Sequence, residues 1–92
     1  MYRLKCDVSD GPREGFKEVG VQSIEGHKEY LAIEARFLIP SGGGWFLPVR
    51  TIARDPRHNT VLVQLPVEAD SGANRVWVKE AILSDTLGEA MA

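Results

Sequence analysis

Residues 45–65, WFLPVRTIARDPRHNTVLVQL, limit the fold more than any other part of the chain. Two apolar-rich runs, residues 45–53 and 60–65, flank Asp55-Pro56-Arg57-His58-Asn59, a cluster of turn formers between β-branched and aromatic residues. This predicts a long β-hairpin. In the second run Val61, Val63 and Leu65 alternate with Leu62 and Gln64, so one face is uniformly apolar and the other mixed, the pattern of a strand with one side on a core. Proline cannot donate to a ladder, so Pro48 predicts that residues 47–49 form a bulge or the point where the strand changes partner. Pro66 is expected to end the second arm.

The other elements follow from the same alternation. Tyr2, Leu4 and Cys6 alternate with Arg3, Lys5 and Asp7, a first half-buried strand. Residues 8–15 carry glycine and proline and read as a polar loop. A second strand is expected over residues 16–24, where Val19 and Val21 share a parity that Ile24 breaks; a bulge or strand end therefore falls near Gln22-Ser23. Residues 25–28 turn into a third strand, residues 29–34. Residues 35–39 either extend that strand or make a short turn, and Ser41-Gly42-Gly43-Gly44 reads as a flexible loop whose glycines permit positive φ and suit a tight or mobile connection. After a polar loop over residues 67–74, Val76-Trp77-Val78 forms a last strand and residues 79–83 one helical turn. The expected organisation is one β-barrel domain over residues 1–84 and a C-terminal tail, residues 85–92, with fraying setting in from about Ser84. With no helical period anywhere, sequential hairpins predict an all-β domain: a small antiparallel, partly open barrel of five to six strands.

Composition narrows the function classes. Ninety-two residues provide one modest core, burying roughly 60–65% of the unfolded surface. Eleven Lys and Arg against thirteen Asp and Glu leave a net charge of −2 and no broad positive field for nucleic acid, and no DNA partner is expected. One cysteine, no secretory signal and no apolar run long enough to span a bilayer predict a reduced, cytoplasmic setting without membrane insertion.

Over residues 20–66 the chain resembles PRC-barrel domains. Glu29-Tyr30-Leu31-Ala32-Ile33-Glu34, the glycine loop, Trp45-Phe46-Leu47-Pro48-Val49 with Ile52 and Asp55, and Val61-Leu62-Val63-Gln64-Leu65-Pro66 carry the likeness. The usual opening glycine pair of that family is met poorly by Gly15 and Gly20. The resemblance implies a binding or assembly module with no catalytic residues to carry over. An SH3-like barrel is the alternative, because residues 76–83 look like the closing strand and short helical turn of that family.

Candidate residues are few, and no pattern calls for a catalytic site, a cofactor or a metal. His27 and His58 sit in expected turns without a ligand partner at metal spacing. Cys6 reads as a small core residue. Gly42-Gly43-Gly44 lacks the lysine, hydroxyl and helix of a phosphate loop, and Glu68 with Asp70 lacks a calcium-loop spacing. Arg50 and Arg54 should share one strand face about 13 Å apart, with Arg57 beyond them in the turn. Alternation can bury only one of Trp45 and Phe46 on a given side, and Trp77 opposes Val76 and Val78, so spare aromatics should mark an interface. The expected function is a non-enzymatic module that binds a protein partner or itself through the aromatic-bearing face of Trp45, Phe46 and Trp77 and through an exposed edge strand. The alternative is RNA or ribosome-associated binding through Arg50, Arg54 and Arg57, with Arg75.

Overall fold

The structure is a computed structural model that describes residues 2–85. Eight strands follow one another: β1 (Tyr2–Asp10), β2 (Phe16–Gln22), β3 (Lys28–Glu34), β4 (Ile39–Ser41), β5 (Gly44–Asp55), β6 (Thr60–Gln64), β7 (Arg75–Lys79) and β8 (Leu83–Asp85). Two 3-10 turns, Ala35–Phe37 and Glu80–Ile82, lead into β4 and β8. Six strands in the order β3-β2-β1-β5-β6-β7 make an antiparallel sheet that curls into a half-barrel, while β4 adds to β5 and β8 to β1.

Curling comes from two long strands that change partners part-way. β1 pairs through residues 2–6 with β5 and through residues 7–10 with β2. β5 pairs through residues 45–49 with β1 and from Arg50 onward with β6. The apolar parity of each strand then faces one interior, where Leu4, Leu31, Leu47, Val19, Val21, Val61, Val63 and Val78 are fully buried. Each such side chain contributes about 1.5–3 kcal/mol of transfer free energy. The seam between the outer strands is bridged by loops: Asp70 N–H donates to Tyr30 C=O of β3 (2.7 Å), and Ile24 N–H donates to Trp77 C=O of β7 (3.0 Å).

The hairpin of residues 45–65, the strand end at Gln22 and the strand at residues 76–78 lie where expected, although β8 follows that strand. Among the other local readings, the open alternatives at residues 35–39, in the glycine loop and at Pro48 are decided and the rest are corrected. β1 runs on to Asp10, which pairs with Lys17: Val8 still packs against the core, and the exposed polar Ser9 and Asp10 are held by the β2 ladder rather than by burial. Residues 35–39 divide into the first 3-10 turn and the start of β4. The glycine loop is a two-residue turn: Ser41 pairs with Gly44, and Gly42 and Gly43 adopt φ of +59° and +80°, the sign that a tight β4–β5 connection requires. At Pro48 the second of the two expectations holds: the strand does not bulge there, and residues 47–49 are where β5 changes partner. Pro48 pairs with Arg3 where β5 bonds to β1 alone, between the β4 ladder ending at Phe46 and the β6 ladder beginning at Arg50, so its missing N–H is tolerated. The bulge falls at Ile52 instead. Ser84 and Asp85, expected to fray, pair with Arg3 and Tyr2 as β8; the rest of the expected tail, residues 86–92, lies outside the described residues. The sheet is also no simple meander, since β5 lies beside β1 and not beside β3.

Candidate functional site

The bulge at Ile52 decides the fate of the arginine face. Arg50 stands across from Gln64 and Arg54 across from Val61, residues of opposite parity on β6, so the two arginines leave opposite faces of the hairpin. The expectation of one arginine-bearing face is thereby corrected. Arg54 is engaged within the fold, its Nη1 2.8 Å from Glu80 Oε1 and its guanidinium 5.6 Å from the Tyr2 ring centroid. Arg57 sits in the exposed turn, where its backbone N–H donates to Asp55 Oδ1 (3.1 Å). Arg50 is exposed and without an ion-pair partner among the described residues.

The three aromatics are not brought together. Trp77 points away from the core side defined by buried Val76 and Val78, is half-buried, and pairs with Leu62, which in turn pairs with Ala53. Trp45, 37% exposed, pairs with Cys6 and Pro40. The eight residue steps along β5 from Trp45 to Ala53 separate those two rows by roughly 26 Å. Phe46 is half-buried with the Arg3 guanidinium 4.5 Å from its ring centroid.

The polar candidates form structural pairs. His58 Nδ1 lies 2.8 Å from Asp55 Oδ2, and this hydrogen bond holds the Asp55 carboxyl below its usual pKa. His27 Nε2 lies 3.1 Å from Glu29 Oε2, while Ser71 Oγ donates to Glu29 Oε1 (2.6 Å). A serine, a glutamate and a histidine thus meet, but the carboxylate stands between the other two, and no imidazole reaches the hydroxyl. The Ser71 and His27 hydrogen bonds hold the Glu29 pKa down, which makes the carboxylate a poorer base. This constellation pins the loop before β7 to the edge of β3. Glu18 faces Asp70 of the same loop, and burial together with the neighbouring carboxyl pushes its pKa up.

Cys6 is half-buried with its thiol donating to Trp45 C=O (3.6 Å), and burial followed by the charge of Asp7 raises its pKa from 9.0 to about 11. At pH 8 its thiolate fraction should be about 100-fold below that of a thiol with the ordinary value. Iodoacetamide should therefore alkylate the folded protein correspondingly slowly, with a rate that climbs as pH rises toward 11. A rate matching free cysteine at pH 8 would contradict this environment.

One concave surface does gather exposed apolar side chains. Two adjoining cavities of about 640 and 310 Å³ share Pro48 and Pro66. The larger is lined further by Arg50, Ile52, Gln64, Leu65 and Arg75, the smaller by Phe16, Ala32, Glu34, Phe37 and Val67. Phe37, Ile52 and Val67 are 47%, 43% and 39% exposed. Each is displayed by a break in regular structure: Phe37 by the 3-10 turn after β3, Ile52 by the bulge, and Val67 by the chain's departure from β6 at Pro66. Sequence reasoning treated Pro48 and Pro66 only as strand punctuation.

The rim of this groove is basic although the chain is acidic. Arg50 and Arg75 line the larger cavity, which has no carboxylate among its lining residues. Arg13 lies 4.1 Å from the Phe16 ring centroid and Arg36 4.7 Å from that of Phe37, so each aromatic wall carries a guanidinium. Glu34, the one carboxylate lining the smaller cavity, is paired with Arg36 at 2.9 Å. Arg75 Nε donates to Gln64 Oε1 (3.0 Å), a neutral partner that leaves its charge uncompensated. No family model, curated protein or solved structure matches the chain, and the site is described by its own geometry alone.

Proposed function

We propose that this domain is a non-enzymatic protein-binding module and that the groove along Pro48 and Pro66 is its recognition surface. The observation that carries this reading is the convergence of Phe37, Ile52 and Val67 with the two prolines around adjoining cavities. Apolar side chains scattered singly on a surface need no explanation, whereas several around a concavity with a polar rim favour a partner. The resemblance of residues 20–66 to PRC-barrel domains, which act in binding and assembly, supports the same reading. Trp45 and Trp77 stand on other rows of the sheet and have no part in it.

Selection from a displayed library of random decapeptides tests the proposal. The wild-type domain is expected to enrich sequences that bind a variant carrying both Ile52→Glu and Val67→Glu at least about tenfold more weakly. Both positions are exposed, so the variant should retain its circular dichroism spectrum and thermal transition. The proposal fails when nothing is enriched over a control protein, or when enriched peptides bind both proteins alike.

A further inference from the structure

The backbone beside the groove has hydrogen-bonding groups to offer. The β2–β3 ladder continues through Ser23 N–H to His27 C=O (2.9 Å) at one end and Ala35 N–H to Gly15 C=O (2.8 Å) at the other. Odd-numbered residues of β3 therefore bond to β2, and even-numbered residues direct their N–H and C=O to the outer edge. Tyr30 C=O on that edge is taken by Asp70 N–H. The N–H and C=O of Ala32 and the N–H of Glu34 have no backbone partner among the described residues, and both residues border the smaller cavity. An open strand edge beside an apolar cavity is the arrangement by which sheets accept an extended chain.

Resting on the protein-binding reading above, we infer that the groove takes an extended peptide segment that adds a strand to β3 at Ala32 and Glu34 and presents Asp or Glu side chains to Arg50 and Arg75. One apolar side chain of the peptide enters the smaller cavity between Phe37 and Val67. Acidic residues further along it meet the larger cavity, whose lining contains two arginines and no carboxylate. Charge complementarity selects the acidic segment: the guanidiniums of Arg13, Arg36, Arg50 and Arg75 surround the groove, and of these only Arg36 is ion-paired to a groove carboxylate.

The test is a ¹⁵N–¹H NMR titration of the full chain with three peptides, each acetylated at its N-terminus and amidated at its C-terminus so that only side chains differ in charge: TVLVGDED, TVLVGNQN and TVLVGKRK. The acidic peptide is expected to bind at least about tenfold more tightly than the neutral one and to shift the amides of Ala32 and Glu34. Replacing both Arg50→Glu and Arg75→Glu should reverse the preference toward the basic peptide. Ala32→Pro deletes an outward N–H without touching the β2 ladder and should weaken the acidic peptide by about fivefold or more. Equal binding of the acidic and neutral peptides, or indifference to Ala32→Pro, overturns the inference but leaves the protein-binding reading standing. If none of the three binds while the displayed library still enriches other sequences, the inference alone fails; if the library also enriches nothing, both fail. A uridine octanucleotide that outcompetes the acidic peptide at Arg50 and Arg75 would likewise overturn both, in favour of RNA.

Discussion

Leu4→Ala is expected to destabilise the domain by about 3–5 kcal/mol, the upper range for truncating a buried leucine. Leu4 is fully buried and central: it stands across from Leu47 on one side and Leu83 on the other, so its side chain joins β5, β1 and β8 in a single row. The loss combines the transfer free energy of the deleted carbons with a cavity that cannot collapse, since the flanking strands are held by their own ladders. β8 has only three residues, and half-buried Leu83 packs against the core beside Leu4, so β8 should detach before the rest unfolds. A domain of this length has a total stability of about 5–14 kcal/mol, so the variant would lose a large part of it. Urea unfolding followed by tryptophan fluorescence should move its midpoint down by roughly 1–3 M. Leu62→Ala, on the opposite parity of β6 and half-buried, is the comparison and should cost about 1 kcal/mol. A loss at Leu4 no larger than at Leu62 would mean that the row of three leucines does not hold the sheet together.

Gly11→Ala should be the most damaging alanine substitution among the described glycines, at about 2–4 kcal/mol. A Cβ at Gly11 would press on the Phe16 carbonyl, 2.5 Å from its carbon and 2.8 Å from Lys17 N, and these are backbone atoms with no rotamer to yield. Gly11 N–H donates to that same carbonyl (3.2 Å), so relieving the overlap breaks the bond that closes the β1–β2 turn. Gly15 in the same turn provides the contrast, with φ of +83° and open space around its Cα. Gly15→Ala should cost only the strain of a left-handed residue, about 1 kcal/mol. Thermal unfolding of the two variants side by side separates close approach from backbone conformation. Equal losses would show that the turn relaxes around the added methyl.

Alternation and punctuation made much of the fold legible. Val61, Val63 and Leu65 share an apolar face by parity alone and are buried, because a strand with one side on a core leaves that period in its sequence. Glycines were harder to read, since the same Gly42-Gly43 that suits a mobile loop also suits a two-residue turn, and only the pairing of Ser41 with Gly44 distinguishes them. Polar strand residues such as Ser9 and Asp10 carry no burial signal at all; their ladder with Glu18 and Lys17 is a tertiary fact. The bulge at Ile52 illustrates the greatest loss of information. One unpaired residue reversed the parity of everything after it in β5 and sent Arg50 and Arg54 to opposite faces, an outcome that spacing along the sequence does not encode.

The groove was illegible for a related reason. Its walls come from β2, the 3-10 turn after β3, β5 and the segment beyond β6, and no local window holds more than a part of it. The sequence by itself determined that this chain is all-β, that Val61, Val63 and Leu65 share a core-facing side, and where its long hairpin turns, because these depend on side-chain period and turn chemistry that act over a few residues. Only the tertiary structure decided that β5 lies against β1, that Pro48 and Pro66 meet across two strands, and that basic side chains collect around them in an acidic protein. Those depend on register and on the hand-over of partners along β1 and β5, which are set by the closing of the whole sheet upon its core.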